Sequence, residues 1–285
     1  EYELPPFALI KEEHYLPAFY EACAAQLAEV QAILDTPGGA TFENTIVALE
    51  KSGQYLGRVL RVFYNKSSSD TNDALNAIEE ELAPKFAAHQ DAISLNPVLF
   101  KRIKDLYDAR ESLGLNTEDA WLLERYYKDL IHKGAHLTEA QRDRLKELNE
   151  ELSSLQTQFS KNVLADTNDL AVLVDSVEEL DGLSENQIAA AAAAAKDRGH
   201  DGKWLIGMVN FTGNPVLDSL TNRPLRKKIM EASLLKANRD NDNDNKQVLL
   251  KMVKLRAERA KLFGSETHAE HVIAVQTAEH PDNVH

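Results

Sequence analysis

The sequence predicts a mainly α protein carrying one small β element. Three observations predict it. Apolar residues recur every three or four positions along most of the chain, which is the helical period. Helix-start signals punctuate that pattern at short intervals. Only two stretches, residues 170–176 and 203–211, are short and β-branched enough to read as strands.

The elements follow in order. After Pro17, the residues Phe19, Cys23, Val30 and Leu34 fall on one face of a first helix. "GGATFENTIVALEKSG" breaks the chain and restarts it, with Thr41 as N-cap and Ile46, Leu49, Leu56, Leu60 and Phe63 as the apolar stripe. The polar run "NKSSSDTND" is a loop, and Asp70 is a candidate cap for the helix beyond it. Asn96-Pro97 is a cap followed by proline at the first helical position, where a missing N–H costs nothing. Thr117 precedes another helix and Gly134 follows it. Thr138 and Gln141 have capping-box spacing. They open the longest element, roughly eight turns, whose seam is Leu145, Leu148, Leu152, Leu155, Phe159 and Val163. That seam reads as a packed helix in preference to a free coiled coil.

The period changes near residue 168. "LAVLV" (170–174) reads as a strand, and "SENQ" (184–187) is a second capping box. It opens a helix holding the alanine run Ala189 to Ala195, whose small side chains permit close approach of a neighbour. "RGHDGKW" is a turn and "KWLIGMVNF" (203–211) the second strand, giving a hairpin-like sheet with the alanine helix between or over it. Pro215 and Pro224 sit at later helix starts, and Gly264 ends the helix containing "VLLKMVKLRAERAKLF". The expected division is a helical region over residues 1–168, then the β element with further helices over 169–285. No fixed-period repeat supports a solenoid.

Composition narrows the function classes. A chain of 285 residues can bury one large core or two modest ones. With 43% hydrophobic and 27% charged residues it is composed like an ordinary globular protein. The formal net charge of −14 repels phosphate backbones, so nucleic acid is not an expected partner. No apolar run approaches the roughly 20 residues that span a bilayer, so no membrane is expected either. Cys23 is the sole cysteine, which rules out an internal disulfide and fits a reducing, cytoplasmic setting. No secretory signal follows Glu1, although a removed segment would leave none.

Each candidate for chemistry fails on spacing. In "HAEH", His268 and His271 are three apart and Glu270 adjoins the second. A helical zinc site needs histidines four apart with the glutamate beside the first, so these read as surface or capping histidines. Asp240, Asp242 and Asp244 alternate like the start of a calcium loop. Asn245 and Lys251, however, stand where the glycine and the bidentate glutamate belong. The run reads as a solvated loop capping the next helix. Cys23 lies on an apolar helical face and reads as a buried structural thiol. Ser67, Ser68 and Ser69 lack a nucleophile-elbow context, and the paired glycines of "DTPGGAT" lack the P-loop lysine. The residues therefore offer no catalytic, cofactor-binding or metal-ligating position in this chain.

Several stretches, taken in order, resemble one family. They include "FENTIVALEKSG" (42–53), "IEEELAPKFAAHQDAISLNPVLFKRI" (78–103), "LLERYYKDLIHKGAHL" (122–137), "RLKELNEELSSLQTQFSKNVL" (144–164), "GLSENQIAAAAAAAKDRGHDGKWLI" (182–206), "RPLRKKIMEAS" (223–233) and "LLKMVKLRAERAKLFG" (249–264). Their order and spacing are similar to the N-terminal half of the thimet-oligopeptidase family (M3) of zinc metallopeptidases, nearest its bacterial peptidyl-dipeptidases. The resemblance implies a mainly helical, two-lobed peptidase whose deep channel admits short unstructured peptides and excludes folded proteins. It also implies a zinc ion held by a His-Glu-x-x-His helix and a further glutamate, with the motif glutamate as base. This sequence has no His-Glu-x-x-His, so no catalytic or metal residue carries over. The chain is expected to be a multi-helix N-terminal lobe region forming one channel wall, without zinc of its own and inactive alone, whose partner is a C-terminal catalytic region. An endo-acting oligopeptidase of the same family, or a non-enzymatic helical interaction module, are the alternatives.

Overall fold

The structure, a computed structural model, describes residues 4–209, 213 and 215–284. It is mainly α, as the period predicts. In chain order the helices before the sheet are α1 (Tyr15–Leu34), α2 (Ala48–Lys51), α3 (Gln54–Ser69), α4 (Asp73–Ser94), α5 (Pro97–Asp108), α6 (Thr117–Lys133) and α7 (Glu139–Asp169). Strand β1 (Val172–Val174), helix α8 (Glu185–Asp197) and strand β2 (Trp204–Ile206) follow. Then come α9 (Val216–Ser219), α10 (Arg223–Leu234), α11 (Lys246–Leu262) and α12 (His268–Ile273).

Several starts differ from expectation by a residue or two, each for a local reason. The first helix begins at Tyr15, so Pro17 lies inside its first turn, where backbone N–H groups have no intrahelical acceptor to lose. The cap of α4 is Asn72, whose Oδ1 accepts from Leu75 N at 2.9 Å; Asp70 instead closes α3. Asn116 caps α6 and Thr117 is its first residue. Thr41 does cap the next turn, accepting from Asn44 N at 3.0 Å, but that turn (Phe42–Val47) is a π-helix before it tightens into α2. The Asn96, Thr138 and Ser184 caps form as expected.

The chain divides into two compact units. One comprises Glu1–Thr157 with Val253–His285, the other Gln158–Met252. This partition follows packing, whereas the change near residue 168 marks a change of secondary structure. Helices α7 and α11 each contribute to both units.

Two clusters form most of the core of the first unit. Phe19, Ala22 and Cys23 of α1 pack with Leu56 and Phe63 of α3 and Leu75 and Leu82 of α4. Val30 and Ile33, one turn or two further along α1, pack with Ile46, Leu49, Leu99, Ile103, Leu123 and Leu130. Phe63 is fully buried and meets Tyr15 edge-on, centroids 5.3 Å apart. Leu145, Leu148 and Leu152 of the α7 seam are buried, so this helix is packed.

In the second unit β1 and β2 pair antiparallel, Val172 opposite Ile206 and Val174 opposite Trp204. The sheet is shorter than predicted. Leu170 N still donates to Asp166 O at 2.9 Å, so the helical ladder runs into the expected strand. Residues 210 and 211, the far end of the second predicted strand, lie outside the described residues. Val172, Val174, Ala191, Ile206, Leu225 and Ile229 share one core, which places the alanine helix against the sheet.

Candidate functional site: a polar cleft in the first unit

The α7 residues Leu145, Asn149, Leu152 and Gln156 are three or four apart and therefore share a face. That face borders a cleft of about 360 Å3. Asp91 and Ser94 of α4 line it one turn apart, as do Arg259 of α11 and Phe263 just past its end. His132 and Lys133 reach it from the last turn of α6, which Gly134 ends in the left-handed conformation (φ 101°). His271 enters from α12, whose start is set by Thr267 accepting from Glu270 N at 3.1 Å.

The cleft is organised by a polar relay. Asp91 is buried, and both its carboxylate oxygens accept from Asn149 Nδ2 at 3.0 Å. Asn149 Oδ1 in turn accepts from Arg259 Nη1 at 3.2 Å. Burial pushes the Asp91 carboxyl above its usual range, against the pull of Asn149 and of Lys146, Arg259 and Lys133. Burial likewise pulls the Arg259 guanidinium down, and its Nε is shielded without an acceptor. The amide thus joins two charges that are not themselves in contact.

An aromatic stack closes one side. The His132 and His271 rings lie 4.1 Å apart and 6° from parallel, and Phe263 stacks on His271 at 4.3 Å. Burial, then the neighbouring His132, brings His271 down to about 4, so its ring is neutral near pH 7. Burial also lowers His132 and His268.

The expectation of surface or capping histidines fails for His271, which is buried in the stack; Thr267 is the cap. His268 is half-buried, and its Nδ1 has no hydrogen-bond partner. Asp240 and Asp244 do not converge on a cation site. Lys246 Nζ meets both, at 2.7 and 2.9 Å, while Asp244 Oδ1 caps α11 through Lys246 N. Cys23 is buried, its thiol pushed up to about 11 by desolvation. Ser68 and Ser69 spend their hydroxyls on the carbonyls of Tyr64 and Asn65.

Sequence reasoning passed over Asp91, Asn149, Arg259 and His132. A signal existed for two of them. Asn149 sits four residues from Leu145, inside the leucine face, and Asp91 three before buried Ser94. A polar residue on a buried face needs a partner, and only the fold names it.

The cleft's chemistry is that of recognition: a shielded carboxylate, a guanidinium with spare donors and neutral aromatic rings. Comparison with known proteins supplies the context. A model described as Peptidase family M3 matches residues 216–285, which include Arg259, Phe263 and His271. Over 281 residues, 99% of this chain and 41% of the relative, the chain is 37% identical to the dipeptidyl carboxypeptidase of Escherichia coli (strain K12).

The chain is similar, along essentially its whole length, to members of peptidase family M3.

A dipeptidyl carboxypeptidase of Salmonella typhimurium is 35% identical over 98% of the chain and 41% of the relative. Oligopeptidase A of Escherichia coli is 29% identical over 99% of the chain and 42% of the relative. The chain thus spans about two fifths of the length of these family members. Among the described residues no group of three or more His, Cys, Asp or Glu side chains is placed to hold a metal ion. Stacked imidazoles direct their in-plane lone pairs along parallel planes, so His132 and His271 do not converge on one ion. The described residues do not fit the zinc centre that the family resemblance implies. No described helix is long and apolar enough to cross a membrane.

Proposed function

We propose that these 285 residues form a non-catalytic lobe region of a zinc peptidase that releases dipeptides from the C-terminus of short, unstructured peptides. Their part is to build one wall of the substrate channel and so restrict substrate size. The observation that carries this reading is identity of 37% along essentially the whole chain to a protein named dipeptidyl carboxypeptidase, against 29% to an oligopeptidase A. The zinc, the attacking water and the general base belong, on this reading, to a C-terminal catalytic region that is the partner of this one. Zinc would there polarise the scissile carbonyl; the residues of this chain orient and exclude. The buried thiol of Cys23 suits a reducing compartment, which supports a cytoplasmic setting.

The test compares a peptide bearing a free C-terminus with its C-terminal amide, using the protein that contains this chain. Dipeptide release from the free peptide alone is expected. Internal cleavage of both would instead assign an endo-acting oligopeptidase. The 285-residue chain assayed by itself should neither retain stoichiometric zinc nor cut either peptide, and zinc-dependent cleavage by it would overturn the non-catalytic role.

A further inference from the structure

The polar cleft does not stand alone. A second space of about 360 Å3 adjoins it, and Gln90, Ser94 and Lys133 line both. The two have opposite characters. The second is walled by side chains such as Leu49, Leu56, Phe86, Ile93, Leu99 and Ile103. Its one imidazole among the described lining residues, His89, is buried; Nε2 donates to Gln26 Oε1 (2.7 Å), and Nδ1 is buried without a partner.

Charge is unusual at the junction. The chain carries a net −14, yet neither Lys133 nor Arg259 is in an ion pair among the described residues. The nearby acids are already engaged. Asp91 is held by Asn149, and Asp129, which borders the second space, pairs with Arg125 at 3.0 Å. Two cations therefore face a cleft whose one lining carboxylate among the described residues is occupied, beside an apolar space with ample room for a small acyl group. An anion there gains charge-assisted hydrogen bonds from a half-shielded guanidinium and an ammonium. An apolar substituent gains burial.

We propose that the joined cleft and pocket bind a small apolar monocarboxylate, its carboxylate between Lys133 and Arg259 and its apolar part among Phe86, Leu56 and Ile93. This does not rest on the peptidase reading. Two sources supply such a group: a free apolar carboxylic acid, or the C-terminal end of an apolar peptide.

The experiment is a titration of the full chain, followed by the imidazole NMR signals of His89, His132 and His271. The ligands are hexanoate, hexan-1-ol, hexylamine, the dipeptide Val-Leu and its C-terminal amide. Saturable shifts with hexanoate or Val-Leu, and none with the alcohol, amine or amide, are expected. Whichever carboxylate binds more tightly identifies the source. Lys133→Gln changes an exposed side chain and should weaken binding about tenfold, the scale of one charge-assisted hydrogen bond; Arg259→Gln should act in the same direction. The proposal fails if neither carboxylate gives saturable shifts, if hexan-1-ol binds as tightly as hexanoate, or if Lys133→Gln binds like the parent.

Discussion

The imidazoles of His132 and His271 lie face to face, centroids 4.1 Å apart, although one ends α6 and the other belongs to α12. Two like groups at this distance cannot both charge cheaply, and burial adds to the cost. The stack is therefore a pair of neutral rings that resists protonation.

That resistance makes stability depend on pH. The folded protein holds His271 at about 4, against 6.5 for an unperturbed imidazole. Between those values the unfolded chain binds a proton that the folded chain does not, so stability falls as pH drops from 6.5 toward 4. The His271 contribution is roughly 2–4 kcal/mol. His89, His132 and His268 are shifted the same way, while Asp91, raised by burial, acts with the opposite sign at lower pH. Urea unfolding across this range should show the loss. His271→Phe keeps a stacking ring without a titrating group and should flatten the profile; an unchanged slope would rule out the stack as its source.

Asn149→Ala removes the amide that joins Asp91 to Arg259. It leaves a buried carboxylate without its donor and a guanidinium without its acceptor. A cost of about 2–3 kcal/mol is expected from two stranded polar groups, read as a lower urea midpoint at constant slope. Asn149→Asp places a second carboxylate against Asp91 and should raise the Asp91 carboxyl further, visible by NMR titration.

Asp166 anchors the loop of the second unit. It is fully buried and accepts from Ala237 N at 2.7 Å and from Arg239 Nη2 at 2.6 Å, with Asn241 and Asn243 further out. Arg239 above all brings its carboxyl to about 2. Ala237 has a positive φ of 53°, a strained conformation for alanine that the Asp166 bond helps to hold. Asp166→Ala should cost about 3–5 kcal/mol, the scale for breaking a buried pair. Amide exchange of residues 237–245 should accelerate by more than that of α4; uniform acceleration would argue against a local anchor. In the parent, the stabilisation is present above pH 3.8 and is lost as pH falls toward 2.

Gly182 has φ 93°, and a Cβ there would lie 2.1 Å from the backbone oxygen of Ser219. That approach lets Thr221 N donate to Asp181 O at 2.9 Å. Gly182→Ala forces backbone apart and should destabilise the second unit by more than about 1 kcal/mol, the ordinary cost of such a change at positive φ. A thermal unfolding midpoint equal to that of the parent would show that the loop yields freely.

How legible was all this in the sequence? Helix identity was readable because caps and apolar spacing are local. Asn96, Thr138 and Ser184 act on N–H groups two or three residues away, and their own spacing announces it. Boundaries slipped where two polar residues competed for one role, as Asp70 did with Asn72. Strand ends slipped because pairing depends on a partner far along the chain. The histidine pair lacks the spacing of a helical zinc motif, which is legible locally, but the burial of His271 was invisible, since the rings that cover it come from α6 and from Phe263 just past α11.

The sequence by itself determined the helical class, most caps, the alanine helix beside a short sheet and the kinship to the peptidase family. Each is written in residues a few positions apart or in order along the chain. Tertiary structure alone decided that Asp91, Asn149 and Arg259 meet, that two imidazoles stack, and that a polar cleft opens beside an apolar one. Those contacts join distant segments, and their energy comes from burial and hydrogen bonding that exist only once the segments are packed.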